Sequence, residues 1–492
     1  MTTASSSTAG LGRRAARGAA VTFGAQALRI AIQVLSVTIL ARMLAPRDYG
    51  LLAMVVVIVG IGEIFRDFGL SSAAIQAKEL SNAQRDNLFW INTAIGVLLG
   101  LAVAAGAGLI AQVYGRQELV GIARALAVTF VLNGLATQYR ADLLRRMLFA
   151  RVAAAGVAAP VVALVVAVGI ALADGGYWAL VAQNIAQSVA LLVGMVIGGR
   201  WRPRRYRRSA PMRGLLTFGW RMVGTQLIGY AANNTDTLVI GLRFSPTSLG
   251  VYNRSFQLLM TPLSQLRAPT TTIALPVLSR LQDDARRYDD FIRRGQLALG
   301  YSLVAGLALV VATAEPVTAL FLGDGWAAVV PLLRLLAVAG IFQTLAYVGY
   351  WVYLSRNLTA DLLRYTMVTA VIKVACVLVG SHWGVVGVAS GYAIAPAIEW
   401  PLSLWWLSRR TSFPGRALTI GALRILAVAT VAGGSAALVS AALAGTSPIL
   451  QLLAASVTAV VAYLLAAWLV PRVRADVRAV IEIARMTRQR AA

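Results

Sequence analysis

Long apolar runs recur along the whole chain and are separated by short polar or basic segments. A helix that crosses the hydrocarbon core of a bilayer needs roughly 20 consecutive, mostly apolar residues. By this criterion the sequence contains about fourteen spanning helices, at residues 21–43, 49–70, 88–111, 119–138, 152–173, 177–198, 215–241, 248–274, 296–317, 328–350, 360–380, 384–407, 418–442 and 449–470. That leaves about 35 residues for each helix and its loop, so we expect no sizeable soluble domain.

The composition agrees with this pattern. Hydrophobic residues make up 59% of the 492 residues and charged residues only 13%, whereas soluble domains carry roughly 25% charged residues. We therefore predict an all-α polytopic membrane protein.

The net charge of +26 is distributed unevenly between alternate loops. With the N-terminus placed in the cytoplasm, 31 basic residues fall in cytoplasmic segments and only 4 in the loops on the other side. Basic residues accumulate in cytoplasmic loops of membrane proteins, so the pattern predicts cytoplasmic N- and C-termini and an even number of helices. Because most of the charge indicates topology, we do not expect nucleic acid to be a partner.

The sequence also contains a weak internal repeat. When the chain is shifted by 200 residues, Pro46 falls on Pro246 and Gly50 on Gly250, and a second pair of similar segments matches at a shift of 210. The offset spans six helices, so the two halves have the same orientation. Repeats of this kind are typical of transporters, in which the substrate site lies between the halves and rocking gives alternating access.

We therefore expect two six-helix lobes followed by a final helix pair. The predicted organisation is a disordered basic tail (1–19), an N-lobe (20–199), a basic cytoplasmic linker (200–213), a C-lobe (214–408), helices 13 and 14 (409–470) and a basic cytoplasmic tail (471–492).

Sequence motifs for enzymatic chemistry are absent. The chain has no GxxxxGK[ST] loop for ATP, and Cys376 and His382, its only cysteine and histidine, cannot form the usual zinc site. The acidic pairs of "QDDARRYDD" are typical of a solvated loop or an amphipathic helix. We predict a transporter rather than an enzyme, with no cofactor and no metal site.

Polar residues inside the predicted spans are costly and tend to face cavities or partners. Gln26, Arg29 and Gln33 share one face of helix 1, and the repeat-related helix 7 carries a similar polar stripe. The predicted substrate-binding residues are Arg29, Arg254, Arg267, Lys373, Gln26, Gln33, Gln226, Asn233 and Asn234. The predicted ion-coupling residues are Asp236, Glu63, Asp67 and Glu399, in case a proton or sodium gradient drives transport.

Two of these interpretations have alternatives. Asp236 lines a cavity between the lobes, or it hydrogen-bonds between packed helices together with the neighbouring amides, or it is an interfacial residue or a partner of Arg243 near the end of helix 7. Glu63, Arg66 and Asp67 have the spacing of a self-neutralised structural network along one helix face. Intramembrane bases outnumber acids, and because arginine pairs well with phosphate oxygens, we expect an anionic, phosphorylated substrate.

Several blocks resemble one transporter family over residues 20–470. The segments "ILARMLAPRDYGLLAM", "SLGVYNRSFQLLMTPLSQL", "TTIALPVLSRLQDD" and "FLGDGWAAVVPLLRLLAVAG" are similar to the polysaccharide-transporter branch of the MOP flippase superfamily, the Wzx-type exporters. The resemblance implies a flippase that carries undecaprenyl-pyrophosphate-linked oligosaccharides from the inner to the outer leaflet, for exopolysaccharide, O-antigen or a related surface glycan. Its pyrophosphate would contact cavity arginines while the lipid tail stays in the bilayer. Membrane lipids and other polysaccharide-assembly proteins are the further partners we expect.

Three alternatives remain open at this point. A drug/cation antiporter of the same superfamily would need a net acidic cavity, which the surplus of arginine disfavours. A peptidoglycan-precursor flippase would need the same basic cavity. A membrane polymerase or ligase for the same glycans is expected to carry a long periplasmic loop, and these loops are short here.

Overall fold

A computed structural model describes residues 24–67, 70, 74, 80–208 and 211–489, except for the side chains of 67, 213–222, 224–225 and 481–489. The predicted N-terminal tail, residues 1–19, lies outside this part of the chain. The described residues form α-helices joined by short turns, so the predicted all-α fold class is confirmed.

The chain separates into two compact units, Met1–Asn253 and Arg254–Ala492, and the boundary falls inside one long helix. The first unit contains α1 (Gly24–Ala41), α2 (Pro46–Asp67), α3 (Asn82–Ala105), α4 (Ala107–Tyr114), α5 (Glu118–Arg145), α6 (Phe149–Leu172), α7 (Tyr177–Gly199), α8 (Arg213–Arg243) and the start of α9 (Pro246–Arg280). The predicted boundaries of the lobes stay a prediction.

The second unit begins in α9 and continues to the end of the chain. It contains α10 (Ala285–Leu299), α11 (Ala305–Ala312), α12 (Ala314–Phe321), α13 (Val329–Ser355), α14 (Thr359–Gly380), α15 (Gly384–Arg410), α16 (Gly415–Ala442), α17 (Pro448–Leu469) and α18 (Pro471–Gln489). A π-helical turn, Gly300–Val304, joins α10 to α11.

Eleven helical stretches among the described residues are long and apolar enough to cross a membrane. One of them, Thr359–Arg410, is 52 residues long and holds both α14 and α15. The two long polar helices α8 and α9 are not among the eleven, because charged and amide side chains interrupt them. The chain is a multi-pass membrane protein in which the described residues of each predicted span are largely helical, although the count of fourteen is not confirmed.

Two predicted spans are interrupted. The span predicted at 88–111 is divided at Gly106, which ends α3 and begins α4. The span predicted at 296–317 is divided at Thr313. Pro316 has no amide hydrogen to donate to the carbonyl of Ala312, so α11 ends there and α12 starts a new helix.

The internal repeat brings its matching residues together in the first unit. A Cβ atom built on Gly50 would lie 1.7 Å from the carbonyl oxygen of Pro246, and one built on Gly250 would lie 1.7 Å from that of Pro46. The first turns of α2 and α9 therefore cross in backbone contact, which only glycine permits. We call this contact the glycine crossing.

The segment after α17 is a helix rather than an unstructured tail. Val473 and Asp476 of α18 are buried on one face, while Arg472 and Arg474 are exposed. The Asp476 carboxylate accepts hydrogen bonds from Arg424 of α16, at 3.1 Å, and from the hydroxyl of Tyr301, at 3.3 Å. Val473 and Asp476 thus anchor the amphipathic helix α18 on its own unit.

A second pair of glycines brings α14 and α15 into equally close contact. A Cβ atom on Gly380 would lie 2.2 Å from the carbonyl oxygen of Gly387, and one on Gly387 would lie 2.1 Å from that of Gly380. One turn further along α15, a Cβ atom on Gly391 would lie 2.2 Å from the carbonyl oxygen of Cys376. The two helices therefore form a tight hairpin around the short turn Ser381–Trp383.

Candidate functional site

The polar stripe predicted on α1 is partly exposed in the structure. Gln26, Arg29 and Gln33 all have intermediate exposure. The guanidinium of Arg29 lies beside Gly156 of α6, where a Cβ atom would stand 3.4 Å from Arg29 Cζ. The buried Nε of Arg29 has no hydrogen-bond partner among the described residues. The guanidinium of Arg29 therefore packs against α6 at Gly156, where the absence of a side chain leaves room for it.

The stripe on α8 divides into two parts. Gln226 is partly exposed, Asn233 is exposed, and Asn234 donates to the carbonyl oxygen of Tyr230 one turn earlier, at 2.9 Å. Asp236 is only 1% exposed, and one of its oxygens accepts a hydrogen bond from the hydroxyl of Tyr252 on α9. Asp236 is thus buried between α8 and α9, where the hydroxyl of Tyr252 contacts its carboxylate. Its role as a cavity-lining or ion-coupling residue stays a prediction.

Glu63 belongs to a network between α2 and α5. Arg66 pairs with one oxygen of the Glu63 carboxylate, and Asn133 donates to the other at 2.9 Å. Arg66 also donates to the hydroxyl of Thr137 at 2.5 Å. The pairing expected from the i, i+3 spacing is confirmed, while the side chain of Asp67 lies outside the described residues.

The second unit contains a chain of polar and aromatic side chains that links two of the predicted cations. Arg267 of α9 is 9% exposed; it donates to the amide oxygen of Gln343 at 3.1 Å, and its guanidinium carbon lies 5.5 Å from the ring centre of Tyr347. Gln343 in turn contacts the hydroxyl of Tyr392 at 3.5 Å. The ammonium of Lys373 lies over the Tyr392 ring, 4.5 Å from its centre. We call this chain the cation–tyrosine cluster.

Glu399 lies close enough to Lys373 to interact with it electrostatically. Its backbone carbonyl accepts a hydrogen bond from the hydroxyl of Tyr365 at 3.0 Å. The structure thus brings Arg267, Lys373 and Glu399 into one region of the second unit. The remaining predicted cation of α9, Arg254, is also buried, but it is not part of the cation–tyrosine cluster.

The electrostatic balance of this region is positive. Among the described residues, Arg267 makes no ion pair with a carboxylate, and its buried Nε has no hydrogen-bond partner. A buried cation is normally paired, because removing its charge from water is costly. The partial compensation by Gln343 and Tyr347 leaves Arg267 with capacity to bind an anion.

Sequence analysis missed the neutral members of the cluster. Gln343 and Tyr347 lie four residues apart on α13, and Tyr392 lies on α15. Polar and aromatic residues at a helical spacing within an apolar run were a usable signal. Their partners on other helices could not be read from the sequence.

An apolar cavity of about 740 Å³ lies between α11, α12, α13, α16 and α17 of the second unit. Its walls are mostly small and aliphatic residues, including Gly433, Gly434 and Ala437. Arg334 and Glu315 also line it, and they form an exposed ion pair at 3.2 Å. The cavity can hold a flexible hydrocarbon chain beside a charged pair.

Comparison with known proteins agrees with this architecture. The family model described as "Polysaccharide biosynthesis protein" matches residues 39–331. The lipopolysaccharide biosynthesis protein WzxC of Escherichia coli (strain K12) is 24% identical over 382 residues, covering 76% of this chain and 77% of WzxC. The teichuronic acid biosynthesis protein TuaB of Bacillus subtilis (strain 168) is 26% identical over 354 residues, covering 70% and 72%.

A solved structure shares the fold. The lipid II flippase MurJ in its inward closed conformation has a TM-score of 0.67 and 13% sequence identity, covering 90% of this chain and 97% of MurJ. At that identity the similarity concerns the fold alone. The family match extends over more than half of the sequence, and the chain belongs to the polysaccharide biosynthesis protein family.

Proposed function

We propose that this protein is a flippase that carries undecaprenyl-pyrophosphate-linked oligosaccharides across the bacterial cytoplasmic membrane by alternating access. The observation that carries the proposal is a buried arginine without a carboxylate partner, Arg267, inside a multi-pass member of a polysaccharide biosynthesis family. WzxC and TuaB are named for the synthesis of two different surface glycans. A shared lipid-pyrophosphate carrier explains how one fold serves both.

Arg267 has the chemistry that a pyrophosphate requires. A guanidinium presents several N–H donors in a planar fork that matches two phosphate oxygens at once. Gln343 and Tyr347 contact this guanidinium and hold it in place. Lys373, whose ammonium lies over the ring of Tyr392, supplies a second positive charge in the same cluster. Because the site is removed from bulk water, the attraction between these cations and an anion is stronger than at the surface.

The apolar cavity supports a lipid-linked cargo. A polyprenyl chain needs a path lined by hydrocarbon, and the glycine and alanine residues of α16 leave room for one. A soluble sugar nucleotide would gain nothing from such a lining. The cavity therefore favours an amphiphilic substrate over a water-soluble one.

Energy coupling through a carboxylate is a further part of the proposal. Glu399 is the best placed of the predicted coupling residues, because it interacts with Lys373 of the cation–tyrosine cluster. Proton or sodium binding there would change the charge beside the cargo. The test replaces each carboxylate by its amide, in the variants Glu399→Gln, Glu63→Gln and Asp236→Asn. If all three variants retain gradient-dependent transport, none of these three carboxylates is the coupling site.

The test of the flippase itself is a lipid analysis in a deletion strain. We expect undecaprenyl-pyrophosphate-linked oligosaccharide, measured by mass spectrometry, to accumulate while surface glycan is lost. The wild-type chain should restore export, Arg267→Lys partly and Arg267→Met poorly. Arg47→Met removes an arginine that is exposed, already paired with Glu118 and in neither the cation–tyrosine cluster nor the cavity, so it serves as the matched control. Unchanged lipid intermediates with intact surface glycan would overturn the proposal.

A further inference from the structure

The basic linker after α7 has no helix over residues 200–208 and is fastened to α3 through its backbone. Asn87, which is fully buried, donates to the carbonyl oxygen of Arg207 at 2.7 Å and accepts from the backbone N–H of Arg207 at 2.8 Å. The side chain thus satisfies both polar groups of one linker residue, as a neighbouring β-strand would. A buried asparagine that binds a backbone in this way is a built contact, since an unpaired amide would be costly there.

Two further side chains of α3 hold the same segment. The indole N–H of Trp90 donates to the carbonyl oxygen of Arg204 at 2.7 Å. The amide of Gln84 donates to the carbonyl oxygen of Pro211 at 2.9 Å. All three contacts engage the backbone of the linker, so they fix its path without using its charged side chains.

The arginine side chains of this segment consequently point away from the protein. We name residues 202–208 the arginine strap. Its five arginines are all exposed, and none forms an ion pair within the described part of the chain: Arg202, Arg204, Arg205, Arg207 and Arg208. The nearby carboxylate of Asp142 is already paired with Arg85 at 3.1 Å and with Arg146 at 3.4 Å.

We infer that the arginine strap is a binding surface for the anionic phospholipid headgroups of the adjoining leaflet. The strap connects the end of one membrane helix, α7, to the start of α8, which places it at the level of the headgroups. The five guanidinium groups are distributed over seven consecutive residues, so they can contact more than one headgroup. A single pyrophosphate would satisfy only one or two of them.

The hydrogen bonds from α3 distinguish the arginine strap from a basic loop that is not held in place. Five like charges in a loop without such contacts would repel one another and spread apart. Held along α3, they stay together and each contributes to attraction at an anionic surface. The inference concerns lipid binding and does not depend on which cargo the protein carries.

The test compares binding of phosphatidylglycerol and phosphatidylcholine by native mass spectrometry of the full chain released from nanodiscs of defined composition. In the triple variant Arg204→Gln/Arg205→Gln/Arg207→Gln we expect phosphatidylglycerol affinity to fall by about fivefold for each arginine removed. Phosphatidylcholine binding should stay the same. The charge-matched control is Arg280→Gln/Arg286→Gln/Arg287→Gln, which removes three exposed arginines from a segment that also contains carboxylates.

The variant Asn87→Ala tests whether the position of the arginines matters in addition to their charge. It keeps every arginine but removes the clamp on Arg207, so faster hydrogen exchange in residues 202–208 should accompany weaker phosphatidylglycerol binding. Equal losses in the triple variant and its control would overturn the inference, as would wild-type binding by the triple variant or by Asn87→Ala. Displacement of phosphatidylglycerol by one equivalent of farnesyl diphosphate would also overturn it, because the strap would then be a site for a single pyrophosphate.

Discussion

Replacing Arg424 with methionine tests how helix α18 is held on the second unit. Removing one partner of a fully buried ion pair costs about 3–5 kcal/mol, because the other charge is left without compensation. The side chain of Asp476 is 10% exposed and that of Arg424 is 27% exposed, so water screens part of this effect. We therefore expect Arg424→Met to weaken the docking of α18 by about 2–4 kcal/mol at neutral pH.

The effect should depend on pH with a definite sign. Burial raises the pKa of the Asp476 carboxyl, although Arg424, the Tyr301 hydroxyl and Arg293 all lower it. A carboxyl whose pKa is raised on folding stabilises the folded state most below its unfolded pKa of about 3.9, and this contribution is lost as the pH rises through the folded pKa. Without Arg424 the pKa of Asp476 rises further, so acidification should restore the docking in the variant.

Hydrogen exchange of the backbone amides in residues 471–480 measures this docking directly. Asp476→Asn should cost less than Arg424→Met, because the guanidinium of Arg424, which is 27% exposed, is partly hydrated when its carboxylate partner is removed. The double variant should resemble Asp476→Asn alone. Glu118→Gln, which breaks an exposed pair with Arg47, is the control and should cost at most about 1 kcal/mol. Wild-type exchange in Arg424→Met, or no recovery in acid, would refute the reasoning.

Three further substitutions test contacts in the first unit. Gly50→Ala must widen the glycine crossing by more than 1 Å and should lower stability by about 1–3 kcal/mol. Because each glycine faces the other helix at the same crossing, the double variant Gly50→Ala/Gly250→Ala should lose less stability than the two single variants added together, measured as a double-mutant cycle in thermal unfolding. Glu63→Gln should lower stability by about 1–3 kcal/mol, because it leaves Arg66 without its carboxylate; an unchanged unfolding temperature would argue against the network. Tyr252→Phe removes the hydrogen bond to a buried carboxylate and should cost about 1.5–3 kcal/mol, measured in the same way; an equal effect of Tyr49→Phe, another buried tyrosine, would show that the loss is not specific to that bond.

Much of the fold could be predicted because the bilayer imposes a simple rule on the sequence. Each predicted span is long, apolar and bounded by turn or charged residues, and each falls on a helix. The interruptions could not be predicted with the same rule. Gly106 and Thr313 lie inside apolar runs, and only the missing hydrogen-bond donor of Pro316 indicates the second break.

The candidate site was predictable only in part. The cost of charge in a membrane drew attention to Arg267 and Lys373, which the structure links through Gln343 and Tyr392, while their role in substrate binding stays a prediction. The same argument also selected Asp236, which the structure buries under Tyr252. Hydropathy gives the depth of a residue along its helix, but it does not give the helix that the side chain faces. That information depends on the packing of distant segments.

The two glycine contacts differ in when they can form during synthesis. Gly380 and Gly387 are seven residues apart, so their contact needs only a short loop and can form while the α14–α15 hairpin is being inserted. Gly50 and Gly250 are 200 residues apart, and their contact must wait until α9 has been made. The first unit is therefore expected to complete its assembly late, with the arrival of α9, whereas the α14–α15 hairpin enters the membrane already joined.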